Sequence, residues 1–195
     1  VAGIASDSES SISRRARAPS LAALLAIVGL PGHANDMQSL NDTAIAHDSS
    51  ADEISKDTRA RERTTVMMRN LPLRYSRLQL IKRLDREGFK GAYDFLYLPI
   101  DFTTGLNLGY AFVNLTSPAT ALRFRAHFFR FDDWGSCAAR RCNTSWAKDD
   151  QQGIIANVER FRNSSVMHPS VSEEHRPILL VDGVPEPFPQ PSSVS

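Results

Sequence analysis

The sequence predicts an α+β domain in which four antiparallel strands carry two helices on one face, in the order β-α-β-β-α-β. Two observations predict it. Short β-leaning stretches at residues 64–68, 93–100 and 109–115 are punctuated by turn residues, and the third alternates with a period of two. Two amphipathic stretches, each opened by a capping residue, follow the first and third strands.

Order begins at Thr64, where Thr64-Thr65-Val66-Met67-Met68 favours a strand and Asn70-Leu71-Pro72 ends it. Ser76 with Gln79 three residues on forms the S-x-x-Q capping box. Leu78, Ile81 and Leu84, with Leu80 beside them, give the following helix an apolar stripe, and Gly88 stops it. Tyr93 to Ile100 reads as the second strand, ended by Pro99 and a turn at Asp101 to Gly105. In the third strand, Gly109 to Leu115, Tyr110 and Phe112 share one face while Ala111, Val113 and Leu115 take the other. Ser117-Pro118 caps a second helix whose Ala121, Phe124 and Phe128 recur at helical spacing. After a loop holding Asp132-Asp133-Trp134-Gly135, residues 142–147 form the last strand, giving the ferredoxin-like split βαβ order with one open sheet face.

Beyond the domain, Ile154, Ile155, Val158 and Phe161 predict a third amphipathic helix, which must bury these side chains either at a domain edge or across part of the open face. The expected organisation is a disordered region at 1–63, the four-stranded domain at 64–148, an extension helix at 149–168 and a Pro-rich irregular tail at 169–195.

Charge is unevenly spread. Residues 1–63 hold seven Lys/Arg against nine Asp/Glu, residues 64–150 thirteen against eight, and residues 151–195 three against five. A basic block between acidic flanks permits phosphate binding without requiring it. Cys137 and Cys142 are too few for a disulfide framework and lack zinc-site spacing, so they are expected as reduced thiols. The apolar run Leu21–Leu30 follows three arginines in the layout of a secretory signal, but ten residues cannot span a bilayer, and a short helix in a loose tail is the expectation. The chain is expected not to span a membrane and to work in the nucleus or the cytoplasm.

The open face is where the residues carry chemistry. Leu108-Gly109-Tyr110-Ala111-Phe112-Val113-Asn114-Leu115 resembles the octamer of RNA-recognition motifs (RRMs), with Leu108 where that pattern has Lys or Arg. Tyr110 and Phe112, two residues apart on one strand face, offer planar rings for unstacked bases. Val66-Met67-Met68-Arg69-Asn70-Leu71 resembles the companion hexamer, with Met67 in place of the usual ring and Arg69 within reach of a phosphate or base edge. Phe95 and Tyr97 share the outward parity if Leu96 and Leu98 fill the core. Trp146 has the parity of Cys142 and Thr144, which favours packing. The expected RNA-binding residues are therefore Met67, Arg69, Phe95, Tyr97, Tyr110 and Phe112.

Four segments, TTVMMRNLP, YDFLYLPIDF, NLGYAFVNL and ERFRNSSVMHPSV, make the chain similar to the C-terminal RRM of the Mei-two-like RNA-binding proteins over about Thr64 to Pro189. The resemblance implies regulation through single-stranded RNA in meiosis and development. Leu73, where that family commonly has a polar residue, and Leu115, where it tends to have Phe, depart from its pattern. The alternative function is a protein-interaction module of the same fold without RNA binding, and protein partners through the helical face or the tail are the companion expectation. No enzyme is expected, because His127, His168 and His175 lie near no nucleophile of recognisable spacing. No catalytic residue, cofactor or metal is expected either; Asp132-Asp133 reads as a turn pair.

Overall fold

The computed structural model describes residues 62–135 and 141–192. The readings of Leu21–Leu30, of Cys137 and of nearly all of the 1–63 region fall outside the described residues. The elements run β1 (Thr65–Arg69), α1 (Arg77–Leu84), β2 (Tyr93–Tyr97), β3 (Tyr110–Leu115), α2 (Pro118–Phe128), β4 (Asn143–Trp146), α3 (Gly153–Arg162), β5 (Ile178–Val181) and β6 (Val184–Glu186). They build one antiparallel sheet in the order β4-β1-β3-β2-β5-β6. The β-α-β-β-α-β order stands, and the sheet continues two strands past it.

Both helix starts form as their sequences dictate. Ser76 Oγ accepts from the Gln79 amide and the Gln79 side chain accepts from the Ser76 N–H, closing the capping box. Ser117 accepts from the Thr120 amide ahead of Pro118. Leu80 and Leu84 of α1, and Ala121, Phe124 and Phe128 of α2, are buried against Val66, Met68, Leu96, Ala111 and Val113 from the back of the sheet. Leu78 departs from the expected α1 stripe. It is exposed, because Leu80 and Leu84, four apart, turn toward the sheet and leave Leu78 on another side of the helix.

The register of β2 depends on a bulge. Tyr93 pairs with Leu115 but Phe95 pairs with Asn114, so Asp94 is the extra residue. The bulge turns Tyr93 into the core, where its hydroxyl donates to Asp85 (2.9 Å), while Phe95 and Tyr97 keep the opposite face. A strict period of two would have put all three rings on one side.

Within the 169–195 segment expected to be an irregular tail, Ile178–Glu186 forms a β-hairpin. Asp182 and Gly183 have φ of 52° and 79°, the two left-handed residues of a type I′ turn, and Ile178–Val181 pairs with β2 through Phe95↔Leu179 and Leu96↔Ile178. Leu180 joins the main core. In β6, Pro185 opposes Leu180, one step from the turn-closing pair Val181↔Val184, so its ring nitrogen faces the free edge and denies an added strand a donor there. Arg77 at the start of α1 holds the approach to this hairpin by donating to the carbonyls of Glu173 and Arg176. Among the described residues no helix is long and apolar enough to cross a membrane.

Candidate nucleic-acid interface

The strand register lays the open-face side chains in three rows. The lower row is Asn143, Arg69 and Tyr110; the middle row is Ser145, Met67, Phe112 and Tyr97; the upper row is Thr65, Asn114, Phe95 and Leu179.

The upper row is covered by α3. Phe161 stacks on Phe95 with ring centroids 5.7 Å apart and planes 24° from parallel, and its ring lies 4.7 Å from that of Tyr97. Phe95 is 0% exposed, so the expectation that it contacts RNA is corrected: the third helix occupies the surface that strand parity alone would leave open. Of the two placements open to this helix, the structure takes the sheet face. It also shortens the helix to Gly153–Arg162 from the 149–168 expected, and leaves Ile154 and Ile155 only partly buried beside buried Val158 and Phe161.

Polar groups fix where α3 sits. Thr65 Oγ1 accepts from the Gly153 amide (2.9 Å) and from Asn157 Nδ2 (3.0 Å) and donates to Asn114 Oδ1 (2.8 Å); Asn114 Nδ2 in turn donates to Asp94 Oδ1 (2.7 Å). Just before the helix, the Gln152 amide accepts from the Thr64 and Thr65 N–H groups and donates to the carbonyls of Thr65 and Ala147. A buried polar chain whose members all find partners selects one arrangement, because any shift leaves desolvated groups unpaired. Burial raises the Asp94 carboxyl to about 6, against the pull of the Asn114 hydrogen bond toward lower values.

The lower two rows remain accessible. Tyr110, Phe112, Met67 and Tyr97 are each partly exposed, and Arg69 is exposed. The Tyr110 and Phe112 rings meet edge to face, 5.9 Å apart at 84°, so they present two perpendicular faces rather than one flat platform. Burial raises the Tyr97 phenol, with the neighbouring Tyr110 adding to the effect. Arg69 Nη1 donates to Ser145 Oγ (2.9 Å), which lays the guanidinium along the β4 side of the surface. Trp146 faces the helical side under Arg125, 4.3 Å from its ring centroid, as its parity predicts.

Two further features shape the margin. Asn107, buried ahead of β3, donates to the carbonyls of Pro72, Leu73 and Tyr75 and accepts from the Gly109 amide (2.7 Å), tying the β1–α1 loop to the strand that carries the aromatic pair. Its position two residues before Gly109 was visible in the sequence; its partners, more than thirty residues upstream, were not. Gly109 has φ of 77°, and a Cβ there would stand 3.3 Å from Leu73 Cδ2. Leu73 and Leu108, 53% and 48% exposed, make this margin apolar where a basic residue would otherwise meet phosphate. Cys142 is buried, with its thiol pushed up to about 12 by desolvation, which leaves it unreactive. Among the described residues no three His, Cys, Asp or Glu side chains gather as metal ligands.

The profile of the family described as RNA recognition motif 2 matches residues 63–162, from the residues before β1 to the end of α3. Among curated proteins, the chain is 36% identical over 155 residues to the protein terminal ear1 homolog of Oryza sativa subsp. indica, covering 70% of this chain and 22% of that protein. It is 39% identical over 137 residues to protein MEI2-like 4 of Arabidopsis thaliana, covering 68% and 15%. It is also 37% identical over 138 residues to meiosis protein mei2 of Schizosaccharomyces pombe, covering 67% and 18%. The chain thus spans less than a quarter of the length of each of these relatives.

Proposed function

The chain belongs to the RNA recognition motif 2 family, and on that footing we propose that its two uncovered sheet rows bind single-stranded RNA, in the service of post-transcriptional regulation in the nucleus or the cytoplasm. The observation that carries the reading is the accessibility of Tyr110 and Phe112 beside Arg69 on a sheet face whose third row is closed. Each ring offers a base a stacking surface worth roughly 1–3 kcal/mol, and stacking accepts any base because every base has a π-face. Met67 lies between Phe112 and Ser145 in the middle row, where a polarizable thioether can lie flat against a base. Tyr97 closes that row on the other side. The site is short: α3 bounds it above and the Leu73/Leu108 margin bounds it below, so it accommodates a few nucleotides. Its function is binding, and no reaction is assigned to it.

The test is a fluorescence-anisotropy titration of the full chain with a random pool of short single-stranded RNAs at several salt concentrations. Saturable binding that weakens as salt rises, with a slope of about −0.7 per phosphate contacted, is expected. A second reading, docking of a protein segment on the same face, is favoured by exposed Leu73 and Leu108. It predicts no saturable RNA binding at any salt concentration.

A further inference from the structure

Independently of the sheet face, the geometry points to a second docking surface on the back of the domain: the outer face of α2 receives an acidic amphipathic helix of a partner protein. The outer face of α2 carries a complete apolar stripe. Ala119, Leu122 and Ala126, with Phe129 at the C-cap, stand at steps of three, four and three residues, and all four are exposed, Leu122 by 52% and Phe129 by 57%. This stripe is separate from the Ala121, Phe124 and Phe128 side that fills the core. A second apolar side on a helix is a surface on which another element can pack. Small Ala119 and Ala126 alternate along the stripe with the larger Leu122 and Phe129 and leave grooves into which the ridges of a second helix fit.

Charge specifies the partner. Arg123 stands four residues after Ala119 and three before Ala126; Arg125 stands three after Leu122 and four before Phe129. The two therefore flank the stripe on opposite sides, with Arg130 beyond its end. Arg123 is held over the Phe89 ring (4.8 Å) and Arg125 over the Trp146 ring, so both guanidiniums are positioned by aromatic faces rather than by carboxylates. Among the described residues, none of these three arginines has a carboxylate within ion-pair distance, and Arg125 Nε is buried without a hydrogen-bond partner.

The imbalance extends across the helical side. Of the thirteen Lys/Arg and eight Asp/Glu in residues 64–150, eight bases and two acids lie in residues 77–90 and 118–130, leaving five bases and six acids for the rest. Both of those acids are engaged within the domain, Asp85 with Tyr93 and Glu87 with Arg83 and His127. The basic surplus of the domain thus lies on its helices, away from the aromatic rows. A second copy of this chain is a poor occupant, since pairing two such faces would bring arginines against arginines. A nucleic-acid backbone would satisfy the charge but leave Leu122 and Phe129 unpaired, whereas a helix with an apolar seam between acidic flanks satisfies both.

The test is an NMR titration of the full, isotope-labelled chain with a designed helical peptide of about fifteen residues carrying leucines at helical spacing between glutamates. A control peptide has every glutamate replaced by lysine. Saturable shifts centred on α2 with the acidic peptide, at least about tenfold weaker with the lysine peptide and with Leu122→Ser or Ala126→Glu, are expected. Both substitutions are at exposed positions, and an unchanged thermal midpoint shows that each variant is folded. Equal binding of the two peptides overturns the inference, as does absence of shifts on α2. So does a short single-stranded RNA that shifts α2 in place of the peptide; none of these outcomes bears on whether the sheet face binds RNA.

Discussion

The rings of Phe161 in α3 and Phe95 in β2 stack with centroids 5.7 Å apart, close to parallel, and the contact closes Phe95 off within the upper row that α3 covers. Phe161→Ala is expected to lower the unfolding free energy by about 3 kcal/mol, the usual cost of removing a buried phenylalanine ring, as measured by urea denaturation. Phe95→Leu keeps the site apolar and is expected to change RNA affinity less than about twofold, a difference of about 0.4 kcal/mol. A large loss with Phe95→Leu in a folded protein would mean that α3 leaves the sheet when RNA binds.

Tyr110→Ala and Phe112→Ala act on the open rows. Each is expected to weaken RNA binding by roughly 1–3 kcal/mol, because each removes one stacking surface. Their rings are only partly buried, so stability should fall by less than with Phe161→Ala. RNA affinity that survives the double change would move the binding site off this face.

The chain Asn157, Thr65, Asn114, Asp94 is expected to behave as one unit. Asn157→Ala leaves Thr65 Oγ1 and the base of α3 short of a donor in a buried setting and should cost about 1–3 kcal/mol. A double-mutant cycle with Thr65→Val should show the two changes to be less than additive, since either alone breaks the same link. Strict additivity would show that the helix is held by its apolar side chains alone.

Asp94 makes stability depend on pH. Its carboxyl titrates near 6 in the folded chain and near its ordinary 3.8 in the unfolded one, so between those values the folded state binds more protons. The favourable contribution is fully present below about pH 3.8 and is lost as pH rises through 6. Asp94→Asn keeps an oxygen to accept from Asn114 and removes the buried charge, and is expected to add about 2 kcal/mol at pH 7 and little at pH 4. Chemical denaturation of both proteins across that range checks it; a constant difference would assign the effect to packing.

Much of this was legible in the chain. Capping residues at Ser76 and Ser117, the alternation of Tyr110 and Phe112 with Ala111 and Val113, and the similarity to the Mei-two-like proteins fixed the domain, its order and its open face, because all of these are local relations along the sequence. The β5–β6 hairpin was also locally signalled, by an Asp-Gly pair between apolar residues in Ile178–Val184, although the prolines around it give the segment the composition of an irregular tail. Local signals fail where the answer depends on distant residues. Which side Tyr93 takes depends on a bulge set by pairing with β3, and whether Phe95 is open depends on a helix sixty residues downstream.

The sequence by itself determined that two rings lie on one face of a sheet, since strand alternation is a property of the backbone. Only the tertiary structure decided how much of that face remains for a ligand, since burial is set by what packs from elsewhere in the chain. Phe95 and Tyr97 share strand parity and an aromatic ring; the position of Phe161 leaves one inside and the other at the rim.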